Sequence, residues 1–295
     1  MKVSIIIAVY NEAGTVRTLL EQVWAQPLPQ AAAREIIIIE SNSTDGSREI
    51  VAEFAARHAG AGPARIRVIH QDRPYGKGHA IRAGLAAASG DIRLIQDADL
   101  EYDVADYPAL LGPIVEGRAA FVLGNRHAGP GHWEIRQFAR NSLLARLLNM
   151  GGIVFRVLFN AMFNCRLADP TTMYKVFRAE CLEGLSFTCD RFDFDFELLG
   201  KLIRAGFTPL EVPVSYTSRS FDEGKKIRIV RDGARGVFAI LRLGLMIPRR
   251  ERSPVITITA DILAKLALIG RDLSEFSLDT VRMFYDDAQS AGLSL

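Results

Sequence analysis

Asp97-Ala98-Asp99 places two carboxylates one residue apart directly after a short apolar run, with Glu101 two residues further on. Such a pair suits Mg²⁺ or Mn²⁺, hard cations that take oxygen ligands and leave positions to water or phosphate. Asp97 and Asp99 are the candidate ligands, and Glu101 is either a third ligand or a group behind them. A helix cap or solvated turn is the plain alternative for the same spacing. Asn11, Glu12 and Glu40 follow two other apolar runs, where an amide and carboxylates can meet a base edge or a ribose. Asn11, Glu12 and Asp45 can equally cap the helices that follow. Gly76-Lys77-Gly78-His79 enters a helix whose first N–H groups can face a phosphate. Arg126, Arg219, Lys225 and Lys226 can stabilise charge on a departing diphosphate, or else form a solvated basic face. Asp169, before Pro170, can act as a base on an acceptor hydroxyl. If the acceptor is already ionised it orients instead, and a turn-forming Asp-Pro junction is the structural alternative. The chain has no Walker motif, no His-Glu-x-x-His and no Gly-x-Ser-x-Gly elbow.

These residues need elements that bring them to one place. Val3–Val9, Glu35–Ile39, Ile66–Ile69, Ile92–Ile95 and Ala119–Leu123 read as strands. Ala13–Gln26, Ser47–Arg57 and His79–Ala88 read as the helices between them. Continuous apolar strands alternating with helices predict an α/β, Rossmann-like, doubly wound and mostly parallel sheet with helices on both faces. Ligands of such sheets bind beyond the strands' C-terminal ends, and each strand here ends in an amide, carboxylate or guanidinium. From Gln137 a helical stretch runs to about Asn164. Tyr174–Arg178 then reads as a strand, Phe194–Ala205 as a helix, and Thr208–Tyr216 as extended. Gly224–Leu245 reads as a basic helix. The predicted organisation is one domain over 1–247, with a ligand-binding half in 1–125 and an acceptor half in 126–247. A linker and helical appendage of unknown role follow in 248–295.

The 295 residues carry 36 Lys and Arg against 34 Asp and Glu, so net charge gives no reason to expect a nucleic-acid partner. Three cysteines cannot build a disulfide framework, and Val3–Val9 is too short for a signal peptide. Both predict a reducing, cytoplasmic location. No run reaches the length of a membrane span. Leu143–Phe163 and Val237–Ile247 read either as core helices or as helices lying on a membrane surface.

In this order the motifs resemble the family 2 inverting glycosyltransferases of GT-A fold. They are most similar to the dolichyl- and polyprenyl-phosphate sugar transferases, of which dolichol-phosphate mannosyltransferase is the type. Val9-Tyr10-Asn11-Glu12 resembles the opening motif, which implies donor contact. Glu40 to Ser47 resembles an Asp-Asp-Gly-Ser-x-Asp-Gly-Thr segment, with Glu40, Ser41 and Asn42 replacing Asp, Asp and Gly. Gly76-Lys77-Gly78 resembles the Gly-rich helix entry. Asp97-Ala98-Asp99 is identical to the metal-binding triplet, and Gly124-Asn125-Arg126 resembles a Gly-Ser-Arg whose Arg meets phosphate. Asp169 to Lys175 resembles an Asp-Pro-x-Ser-Gly-Phe segment, with Thr172 and Met173 in place of Ser-Gly. Phe192 to Leu198, Glu211 to Pro213 and Arg219 to Lys226 resemble the late segments.

The resemblance implies transfer of a hexosyl group, with inversion, from a nucleotide diphosphate sugar, GDP-mannose first. The implied acceptor is a polyprenyl or dolichyl phosphate, with peripheral docking on the cytoplasmic face of a membrane. It further implies Mg²⁺ or Mn²⁺ on Asp97, Asp99 and Glu101, and Asp169, Asp99 and Arg126 as catalytic. Donor contacts would come from Val9, Tyr10, Asn11, Glu12, Glu40, Asp45, Lys77, Asp97, Ala98, Arg126, Arg219, Lys225 and Lys226. Two alternatives stay open: a UDP-sugar enzyme with a soluble or glycan acceptor, and a non-catalytic nucleotide-sugar-binding module. A nucleotidyltransferase would carry a Gly-rich loop where Tyr10-Asn11-Glu12 stands. The sequence is silent on oligomeric state.

Overall fold

The computed structural model describes residues 1–29, 32–60, 64–127, 142–219 and 229–246. They belong to a compact unit spanning Met1–Arg250. Lys225, Lys226 and the 248–295 appendage lie outside the described residues.

Strands β1 (Lys2–Val9), β2 (Ala33–Glu40), β3 (Ala64–His70) and β4 (Ile92–Asp97) alternate with helices α1 (Val16–Ala25), α2 (Ser47–Arg57) and α3 (Lys77–Ala87). Then come α4 (Tyr107–Val115), β5 (Phe121–Asn125), α5 (Ser142–Phe163), β6 (Lys175–Arg178), α6 (Asp193–Arg204), β7 (Leu210–Pro213) and α7 (Ile229–Met246). The described residues form one seven-stranded sheet in the order β3-β2-β1-β4-β6-β5-β7. β1 pairs in parallel with β2 and β4, β2 with β3, and β5 with β7. β6 alone among them is reversed, antiparallel to β4 and β5. The architecture is therefore the α/β, mostly parallel sheet expected from the alternating pattern.

The isoleucine runs explain the centre. Ile5, Ile6 and Ile7 of β1 and Ile36 to Ile39 of β2 are fully buried. A strand covered by helices on both faces needs apolar residues at every position. Gly84 of α3 lets that helix close on the sheet, since a Cβ there would lie 2.7 Å from the Ile39 Cδ1. At the edge, β3 alternates instead, with Arg65 and Arg67 exposed, a charged pattern that discourages further strand pairing.

Several boundaries differ from the sequence reading. β4 continues two residues past Ile95, so Asp97 is the last strand residue and Asp99 lies in the turn. α1 begins at Val16 because Glu12 to Thr15 form a turn, in which the Glu12 carbonyl accepts from the Thr15 and Val16 amides. α4 is a helix the periodicity did not mark. It carries Pro108 in its first turn, where the missing N–H costs nothing, and Pro113 further in. α5 and α7 pack together through small residues: a Cβ on Gly236 would meet Phe155 at 2.9 Å, and one on Gly244 would meet Met162 at 2.7 Å. Among the described residues no helix is long and apolar enough to cross a membrane.

Candidate active site

The C-terminal ends of β1, β2 and β4 open onto a cavity of about 1220 Å³, walled on its other sides by α6, α7 and the segment reaching Arg219. Sites for one small ligand usually occupy roughly 300–1,000 Å³, so this cavity has room for two reactants.

Asp97 and Asp99 stand on its rim, each neutralised by a cation of the chain. The Lys77 ammonium lies 2.9 Å from Oδ1 and 3.0 Å from Oδ2 of Asp97. The Arg219 guanidinium donates to Asp99 Oδ2 and to Glu12 Oε2, both at 2.9 Å. Burial first, then the Asp97 and Glu101 charges, push the Asp99 carboxyl up to about 7. Burial raises Asp97 as well, opposed by Lys77. Burial alone would lower Lys77, yet Asp195 and Asp97 on either side hold it raised. Such a rim favours an additional positive charge.

Glu101 does not point its carboxylate outward as a further ligand. Its Oε1 accepts from the Arg219 backbone N–H at 3.0 Å and its Oε2 from the Tyr216 hydroxyl at 2.8 Å. It anchors the segment that delivers Arg219. Among the described residues no three His, Cys, Asp or Glu side chains converge to hold a metal by themselves. Asp97 and Asp99 supply the oxygen pair that Mg²⁺ or Mn²⁺ accepts when phosphate and water fill the other positions, so the residues fit such a cation.

Arg126, just past β5, also lines the cavity. Its Nε and Nη2 donate to the two Asp169 oxygens at 2.7 and 2.8 Å, and its backbone N–H to Oδ2 at 3.1 Å. Nη2 also donates to the Thr171 hydroxyl at 2.7 Å, and the guanidinium stacks 5.0 Å from the Tyr216 ring centroid. Asp169 is 1% exposed. Burial would raise its pKa, but Arg126 overrides this and holds it at about 2. A carboxylate so occupied is a poor base and is placed to orient Arg126. Glu211 of β7 fixes the loop from behind, accepting from the Ala168 and Asp169 amides at 2.9 Å.

The structure gathers Val9, Tyr10, Glu12, Lys77, Asp97, Ala98, Asp99, Glu101, Arg126 and Arg219 around the cavity. Asn11, Glu40 and Asp45 are not on its wall. Asn11 and Asn42 take left-handed backbones, φ 54° and 58°, which Asn tolerates. The Asn11 Oδ1 then accepts from the Thr44 amide at 2.8 Å. Glu40 is fully buried and accepts from the Ser43 amide at 2.6 Å. Asp45 accepts from the Ala13 amide and the Ser47 hydroxyl. Asn11 and Asp45 tie the first two strand tips together, and Glu40 braces its own loop. The neighbouring Ser41 reaches the cavity instead, hydrogen-bonded to Gln71, which contacts His79. Sequence reasoning assigned no role to Asp195, Lys175, Tyr216 or Thr171, although the first two and Thr171 lie in segments that carry the family resemblance.

Residues 4–184, more than half of the chain, match the sequence model described as glycosyl transferase family 2. The chain is 25% identical over 245 residues to a dolichol-phosphate mannosyltransferase of Pyrococcus furiosus, covering 82% of this chain and 64% of the relative. It is 28% identical over 224 residues to an undecaprenyl-phosphate 4-deoxy-4-formamido-L-arabinose transferase of Edwardsiella ictaluri, covering 76% and 62%. The chain thus spans less than two thirds of the length of these relatives. Among solved structures it is similar to glucosyl-3-phosphoglycerate synthase from Mycobacterium tuberculosis, in complex with Mn²⁺, UDP and glucosyl-3-phosphoglycerate. That similarity has a TM-score of 0.55 and 22% identity, covering 84% of this chain and 81% of the other.

Proposed function

Because the chain belongs to glycosyl transferase family 2, we propose that it moves a hexosyl group from a nucleotide diphosphate sugar to a polyprenyl phosphate, with inversion, in one in-line displacement. The observation that carries this is the cavity itself, lined by Asp97, Asp99, Lys77, Arg219 and Arg126. The names of the P. furiosus and E. ictaluri relatives support the lipid-phosphate acceptor, and the first also supports a mannosyl group as the sugar transferred.

Asp97 and Asp99 would hold Mg²⁺ or Mn²⁺, which when bound supplies positive charge to the diphosphate as the glycosidic bond breaks. Lys77 and Arg219 add fixed positive charge on the same side. Arg126 and Thr171 orient the acceptor phosphate. An ionised phosphate is already a nucleophile, so no base is needed, and Asp169 instead fixes the plane of the Arg126 guanidinium. Its two parallel hydrogen bonds leave that plane little freedom.

A long isoprenoid tail must reach the cavity from a bilayer. Exposed apolar side chains recur at helical spacing on α5 (Met150, Val154, Val157) and α7 (Phe238, Leu241, Leu245). Val157 is 60% exposed and Phe238 67%. Two such stripes beside the cavity suit shallow docking on lipid.

The test is transfer by the purified protein, with Mn²⁺, to a short-chain polyprenyl phosphate in detergent. GDP-mannose and UDP-glucose are supplied separately. A β-linked mannosyl lipid phosphate, lost in Asp99→Asn, is the expected product. Transfer from UDP-glucose to a soluble acceptor, or nucleotide binding without turnover of any donor, would overturn the proposal.

A further inference from the structure

Lys77 stands between two carboxylates with different surroundings. It contacts both oxygens of Asp97 at 2.9 and 3.0 Å, and its Nζ lies 3.6 Å from Oδ2 of Asp195 in the first turn of α6. The other Asp195 oxygen accepts from the Lys175 ammonium at 3.1 Å. Lys175 is fully buried and also donates to the Thr172 carbonyl. Asp195 is therefore pinned from behind by one lysine and faces a second in front. Lys77 is anchored at the start of α3, and its side chain is 18% exposed. The one ammonium therefore already sits between the two carboxylates, nearer to Asp97 than to Asp195.

An ammonium and a divalent cation compete for the same oxygen lone pairs of Asp97. We infer that Lys77 is a built-in competitor of the divalent cation at Asp97, and that Asp195, fixed by Lys175, receives Lys77 when the cation enters. This rests on the reading of Asp97 and Asp99 as the cation's ligands. If Asp97 were surrendered with no second carboxylate at hand, Lys77 would be left as a poorly compensated cation in a secluded site, which is costly. Asp195 removes that cost and is a positioning residue acting through Lys77.

The test is Mn²⁺ binding to the full chain without nucleotide, read by loss of the free-ion electron paramagnetic resonance signal. Lys77→Met removes the competitor and should tighten Mn²⁺ about tenfold or more, the scale of a lost charged hydrogen bond. Asp195→Asn should weaken Mn²⁺ several-fold in the native background and leave it unchanged beside Lys77→Met. Lys77→Gln serves if the methionine variant does not fold. Equal or weaker Mn²⁺ binding by the Lys77 variants, with Asp97→Asn still weakening it, would overturn the inference alone. Mn²⁺ binding indifferent to Asp97→Asn and Asp99→Asn would overturn the cation site and the inference with it.

Discussion

Asp169→Asn tests how the acceptor side of the cavity is held. The native carboxylate receives Nε, Nη2 and the backbone N–H of Arg126 and the Thr171 hydroxyl. An amide keeps one acceptor oxygen, turns N–H toward the guanidinium and removes the charge. Arg126, whose side chain is 4% exposed, becomes an uncompensated buried cation. Breaking one partner of such a pair costs roughly 3–5 kcal/mol. At about 2–4 °C per kcal/mol for a domain of this size, the melting temperature should fall by about 6–20 °C at pH 7. The acid limb gives an independent figure. The folded pKa of Asp169, about 2, lies below its ordinary 3.8. Stability from this group is therefore full above pH 4 and lost as pH falls toward 2. That pKa gap corresponds to a few kcal/mol, a large part of it gone by pH 3. Thermal melts of both proteins at pH 7 and pH 3 should show a gap that narrows on acidification. Transfer activity of the variant should drop at least about tenfold from lost orientation. A melting temperature within 2 °C of the native protein at pH 7 would refute the reasoning, as would a gap that persists unchanged at pH 3.

Gly78→Ala would set a Cβ 2.5 Å from the Phe194 Cβ and 2.8 Å from the Arg191 and Cys189 carbonyls. Overpacking of this kind costs about 1–3 kcal/mol, read as an earlier urea midpoint. Glu211→Gln weakens the clamp on the Ala168 and Asp169 amides. It should lower transfer while leaving nucleotide affinity within about twofold, by titration calorimetry; a matching loss of nucleotide affinity would contradict the division of the cavity. Val157→Asp with Phe238→Asp should abolish flotation with anionic liposomes while preserving the melting temperature. Co-flotation equal to the native protein would remove α5 and α7 as the docking face.

The sheet's first half was legible because its central strands carry apolar runs, Ile5 to Val9 in β1 and Ile36 to Ile39 in β2. Ile36 to Ile39 can be little else between two turn-rich segments. The insertion of β6 between β4 and β5 was not, since strand order is a long-range property with no local marker. α4 escaped notice because Pro108 and Pro113 read as breakers until the first is placed in the opening turn. Within the site, Asp97 and Asp99 announced themselves by spacing and by the strand before them. Glu40, Asp45 and Asp169 carry the same chemical type but are spent on the protein's own amides and on Arg126. Only three-dimensional placement separates an acid facing a ligand from one holding a loop. Asp195 shows the converse, lying in an amphipathic helix of ordinary appearance and yet joining Lys77 to Lys175.

Crystals soaked with Mn²⁺ and GDP-mannose, mapped at the manganese absorption edge, address the cation-bridged donor most directly. An anomalous peak beside the Asp97 and Asp99 carboxylates and the donor's diphosphate is the expected result. Nucleotide bound in the cavity, with no anomalous peak beside Asp97 or Asp99 and Arg219 still on Asp99, would contradict it.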